Sequence, residues 1–261
     1  MYVAHMRILN RGIVLVVWLV ACGHASTTGA PAAQSPAQGS TEAASTGGSP
    51  GAKQQPDLVQ HMRVSFWAAI DARDAIVDGK LAVAHERANH LAQEHFEALP
   101  ERWQPWVHDM QKHAGELAMA PDVGEAAQWT ASVALTCGNC HWHMGKGPAY
   151  DTAEVATPTS QPEDLRARMR RHSLAADDLW MGLVRPSQGA WTRGARLLNE
   201  APPERPTQAG GAEVDAAFAA QLNAIKALGL RAITAKTPHE RASVYGEFLA
   251  RCAACHTLVA R

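Results

Sequence analysis

The sequence predicts an all-α protein made of two tandem four-helix bundles. Three observations carry that expectation. Apolar residues recur at helical spacing, β-branched alternation between tight turns is absent, and the chain repeats itself once. At 261 residues, with 46% hydrophobic and 19% charged residues, the chain is long enough to bury a substantial core. Its 24 Lys and Arg against 25 Asp and Glu leave a net charge of -1 with no long run of one sign, which argues against nucleic acid as a partner.

The chain opens on a segment that reads as an address. Arg7 and Arg11 precede the apolar run "GIVLVVWLVAC", which is short for a membrane span but suits a signal-peptide core. Leu19-Val20-Ala21-Cys22 closes that run and resembles the bacterial lipobox. The resemblance implies a signal peptide over 1–21, removed before Cys22, and a lipid on Cys22 in the mature chain. It places the protein in the bacterial cell envelope, facing the periplasm or attached to the outer membrane, with Gly23 rather than aspartate after the cysteine. A secreted chain cut nearby and a retained N-terminal anchor are the two alternatives. Residues 22–56 are Ala, Ser, Thr, Gly, Pro and Gln with almost no apolar bulk, so they predict a flexible tether.

The body after the tether is a repeat. Asp57–Gln93 overlays Asp164–Glu200 without a gap, and Asp57, Leu58, Met62, Arg63, Ala68, Ala69, Asp71, Val77, Ala88 and Leu91 meet identical residues. Leu58, Met62, Ser65, Ala69, Ala72 and Ile76 draw one stripe down a first helix. Leu165, Met169, His172, Ala176, Leu179 and Leu183 draw the same stripe in the second copy. Gly79 ends the first helix, "LPERWQPW" (Leu99 to Trp106) separates the second from the third, and Pro121-Asp122 starts the fourth. Trp103, Val107, Met110, Ala114 and Leu117 stripe that third helix. In the second copy the breaks are Pro186, "APPERPTQAGG" from Ala201, and Thr237-Pro238-His239-Glu240, a capping box with proline in its first turn. Phe218, Leu222, Ile225, Gly229 and Ala232 stripe the helix before it. The expected bundles are therefore residues 57–145 and 162–261, joined by a polar linker over 146–161.

Each copy closes on Cys-x-x-Cys-His: Cys137, Cys140 and His141 in the first, Cys252, Cys255 and His256 in the second. On a helix, cysteines three apart share a face and a histidine one further sits over the first cysteine. That geometry lets two thioethers hold one edge of a haem while the imidazole reaches its iron, and the motif is the attachment signal for haem c. A zinc ribbon needs its second cysteine pair much closer, and a thioredoxin-like dithiol needs a βαβ setting. The chain's 5 cysteines are accounted for by the four in the motifs and Cys22. Two covalently bound haem c groups are expected, with His141 and His256 as proximal iron ligands.

Only five residues follow His256 and none is methionine, so any sixth ligand must come from upstream. A haem motif on the last helix of a four-helix bundle resembles the cytochrome c-prime (class II) family, and residues 57–261 look like two such modules in tandem. In that family the sixth position is either open, with small gases as ligands, or filled by a methionine early in the first helix. Met62 and Met169, each in Asp-Leu-x-x-x-Met, match that methionine and also resemble the ligand segment of related non-covalent four-helix cytochromes. Their ordinary alternative role is core filling. Among the 13 histidines, His172 lies one turn after Met169 and is the rival ligand, while His61 points away from the stripe. His85, His90, His95, His108 and His113 read as surface or internally bonded residues, and His143 as a neighbour of the haem edge. Trp67, Trp103, Trp106, Trp129, Trp142, Trp180 and Trp191 read as core or haem-packing residues.

His/Met ligation raises the haem potential relative to bis-His and closes the iron to substrates. The resemblance and the motifs together imply a lipid-anchored dihaem electron carrier, not an enzyme, serving redox protein partners the sequence does not name. The alternatives are a binder or sensor of NO or CO with a five-coordinate iron, and a dihaem peroxidase.

Overall fold

The computed structural model describes residues 58–95, 99–145, 147, 165–199 and 211–259, all within one compact unit. The expected signal segment, Cys22, the tether and all of the linker but Gly147 lie outside the described residues. Among those described, the chain is all-α, with eight helices, one 3-10 turn (Glu101–Trp103) and no strand. The helices are α1 (Leu58–Val77), α2 (Leu81–Gln93), α3 (Gln104–Met119) and α4 (Val123–Met144) in the first copy. The second copy holds α5 (Leu165–Val184), α6 (Gln188–Asn199), α7 (Gly211–Thr234) and α8 (Pro238–Val259). No helix among the described residues is long and apolar enough to cross a membrane.

Local chemistry explains the helix ends. α1 stops because Gly79 takes φ +70°, donating its N–H to the Ile76 carbonyl at 2.9 Å while Lys80 donates to Ala75 at 2.8 Å. These two bonds satisfy carbonyls that the helix leaves free, and only glycine adopts that backbone cheaply. At the start of α4 the Asp122 carboxylate accepts the Glu125 N–H at 2.9 Å. At the start of α8 the Thr237 hydroxyl accepts the Glu240 N–H at 3.1 Å, and the Glu240 carboxylate accepts N–H bonds from Thr237 and Lys236 at 2.9 and 2.8 Å.

The last pair gives a pH prediction. The Thr237 amide first, then the Lys236 amide, hold the Glu240 carboxyl below its usual value. A carboxyl whose folded value is depressed stabilises above its unfolded value and loses that contribution as pH falls through the folded value. Glu240→Gln is therefore expected to lower Tm near neutrality, by an amount that shrinks in acid as the wild-type carboxyl protonates. Melting curves of both proteins across the acid range check this.

Helices pack in chain order within each copy: α1 on α2, α2 on α3 and α3 on α4, then α5 on α6, α6 on α7 and α7 on α8. The two copies also pack on one another. α4 also packs extensively on α8 and α5, and α1 on α8. One apolar core runs through both copies, from Ala69, Ile76, Leu117 and Ala134 to Leu179, Trp191, Phe248 and Leu249. Small residues permit this. Ala126, Ala127, Ala131 and Ala134 of α4 are at most 1% exposed, and Gly246 of α8 sits so close to Gln128 of α4 that a Cβ would stand 2.5 Å from its side-chain oxygen.

A polar contact marks the junction. Arg73 of α1, itself buried, reaches Asp74 at 2.7 Å and Asp177 of α5 at 2.9 Å, and its guanidinium lies 5.6 Å from the Trp180 ring centre. Tyr245 of α8 packs on the same indole at 6.0 Å and donates its hydroxyl to the Ala176 carbonyl at 3.3 Å. Arg73 and Trp180 occupy matching positions in the two copies.

Candidate haem-attachment sites

The first motif occupies the last two turns of α4, which ends at Gly145 with φ +57°. Cys137 lies against the core, while Cys140 is half-buried. The His141 Nδ1 lies 2.7 Å from the Val184 carbonyl. A carbonyl only accepts, so Nδ1 carries the proton and Nε2 is left as the free nitrogen. Val184 is the last residue of α5, and its oxygen is one of the carbonyls a helix end leaves without a partner. Gly138, between the two cysteines, is pressed against the same helix end, where an added Cβ would stand 2.0 Å from the Leu183 carbonyl oxygen.

The second motif lies near the end of α8. Cys252 is buried in the main core, and Cys255 is buried against Phe218 and Leu222 of α7. His256, 41% exposed, turns its Nδ1 toward Asp78, 3.8 Å from Oδ1. Asp78 directly follows α1. The motif histidine of each copy therefore meets the end of the first helix of the other copy.

The two sites lie at opposite ends of the first four helices. Ser65, near the start of α1, bonds Glu94 after α2 at 2.6 Å, and Trp106 at the start of α3 stacks on His143 at 4.8 Å, which fixes the end holding His141. Asp78, beside His256, marks the other end. The rise of α1 between Ser65 and Asp78 is about 20 Å.

All four motif cysteines are free thiols. Burial, reinforced by Cys140, pushes Cys137 up to about 12, and burial reinforced by Cys255 does the same to Cys252. Burial also raises Cys140 and Cys255. Two neutral thiols at helical spacing, next to an imidazole with Nε2 free and Nδ1 oriented, fit the donor set of a covalently attached haem. Among the described residues no group of three or more His, Cys, Asp or Glu side chains is gathered as a bare metal ion would need.

Met62 and Met169 are both half-buried in the second turn of α1 and α5. Each first helix starts at the end of its own copy where the motif helix finishes. His172 is half-buried one turn beyond Met169. His61 turns to the Glu94 carboxylate at 3.6 Å, so it joins a polar cluster with Ser65 and Glu94 that the stripe pattern did not reveal. His85 meets the Ala120 carbonyl at 3.0 Å, and His113 meets the Thr136 hydroxyl at 3.0 Å. His90, His95 and His108 are exposed, the last two on an open cleft of about 350 Å³ with Glu94 and Gln111. Trp180 and Trp191 are buried as expected of core residues, but Trp67 is 60% and Trp142 73% exposed. Both exposed indoles fall off the apolar phase of their helices, Trp67 between Ser65 and Ala69 and Trp142 one position past His141.

No family model, curated protein or solved structure matches the chain.

Proposed function

We propose that the protein is a dihaem c-type cytochrome that carries single electrons in the bacterial cell envelope, its two copies each serving as a four-helix haem module of the class II kind. Cys137 and Cys140 hold the first haem and Cys252 and Cys255 the second, with His141 and His256 on the proximal sides. Met62 and Met169 are the distal ligands, and Cys22 carries the lipid. Bound there, the haems supply one-electron redox chemistry, and the helices supply burial and orientation. The observation that carries the reading is the pair of Cys-x-x-Cys-His motifs on the last helix of each copy, with the His141 Nδ1 bonded to the Val184 carbonyl at 2.7 Å so that its Nε2 is left for iron.

The test is spectroscopy on protein made in cells that attach haem c. Two haems per chain, retained through denaturation, are expected, with low-spin oxidised spectra, a methionine–iron charge-transfer band and no response of the reduced protein to CO. High-spin spectra that shift with CO overturn the carrier role in favour of gas binding. A chain without covalent haem overturns the whole reading. Met62→Ala and Met169→Ala are each expected to abolish half of the charge-transfer band.

A further inference from the structure

The two motif histidines face surroundings of different charge, and this bears on the haem reading above, on which the inference rests. His141 donates to a neutral backbone carbonyl of Val184 at 2.7 Å. His256 faces a carboxylate, with Asp78 Oδ1 at 3.8 Å. The turn after α1 fixes Asp78 in place through the Gly79 and Lys80 backbone bonds, and α8 covers that turn closely enough that a Cβ on Gly79 would stand 3.4 Å from the Thr257 hydroxyl.

The position is not one that favours an acid. A helix C-terminus carries partial negative charge and repels a carboxylate. Asp78 is offset there by Lys80, whose Nζ lies 2.6 Å from Oδ2, leaving Oδ1 toward His256. The matching position in the second copy is Arg185, a residue of opposite sign beside the Val184 carbonyl that holds His141.

We propose that Asp78 is a positioning and tuning residue for the second haem, acting through His256 to hold that haem at a lower potential than the first. A carboxylate behind a ligating imidazole makes the ring a stronger donor and favours the more positive iron. Electrons entering at the second site then run downhill to the first.

The holoprotein, its haems counted, is titrated spectroelectrochemically at neutral pH. Asp78→Asn is expected to shift the reduction equilibrium of the lower-potential haem about tenfold toward reduction, about 59 mV for one electron, with the other haem unmoved. Lys80→Ala, which removes the competing cation, is expected to shift the same haem the opposite way. Asp78→Glu restores most of the wild-type value. A purely structural role would not give opposite signs for the Asn and Ala variants. Two covalent haems whose midpoints stay put, or move together, overturn the tuning while leaving the haem reading intact. A wild-type chain that loads no haem overturns that reading and the tuning with it.

Discussion

Gly138→Ala is expected to destabilise the protein by about 1–3 kcal/mol and to disrupt the first haem site while leaving the second in place. The added methyl would meet the Leu183 carbonyl oxygen at 2.0 Å, a backbone atom at the end of α5 that no rotamer change can move aside. α4 and α5 must separate by more than an ångström there, and the His141 bond to Val184 separates with them. Alanine's helix propensity returns only about 1 kcal/mol, so the clash decides the sign. Ala253 holds the matching place in the second motif, buried and without difficulty, so nothing in the motif itself demands glycine. Denaturant unfolding gives the stability change, and the haem count and spectrum show which site suffers. An alanine variant as stable as wild type, with both sites intact, would contradict the packing of α4 on α5.

Trp191→Ala is the largest single-site loss expected in the core, at about 3–5 kcal/mol, or on the order of 10 °C in Tm for a body of this size. The indole is 1% exposed and its Nε1 donates to the Ala232 carbonyl at 2.8 Å, so truncation opens a cavity and leaves that carbonyl only its longer bond from the Ala235 N–H at 3.3 Å. Gly182 is shaped to it, since a Cβ there would stand 2.8 Å from the Trp191 Cβ. Trp180 is buried to the same degree but its Nε1 has no hydrogen-bond partner among the described residues, so Trp180→Ala is expected to cost less. Because one core passes through both copies, both variants should still unfold in a single transition. Two separated transitions would instead mean that each copy folds alone.

How much of this was legible in the sequence follows the range of the forces involved. The all-α class, the end of α1 at Gly79, the Asp122 cap and the Thr237–Glu240 box are set by residues within a few positions of one another, and the pattern displays them. The stripes of α1, α3 and α7 were legible for the same reason, since Ile76, Leu117 and Ile225 fall on the faces their spacing assigns. Spacing names a face but not what covers it. The polar stretch at 146–161 therefore read as a boundary between bundles, while the alanines of α4 that let it pack on α8 gave no signal of their partner. At the sites, the cysteines and histidines were plain. The Val184 carbonyl was not, because a backbone atom leaves no mark in composition, and Asp78, just before the Gly79 break, carried no signal of its own. Trp67 and Trp142 were assigned by residue type where their helical phase pointed to solvent.

The contact of Arg73 with Trp180 has a consequence for how the two copies came to share one chain. Matching positions that touch lie on or near an axis relating the halves. In a dimer of identical subunits, two-fold symmetry would set arginine against arginine there, or indole against indole. Covalent fusion lifts that constraint, and a cation facing an aromatic ring, each from its own half, is an arrangement open only to a molecule whose symmetry is already broken.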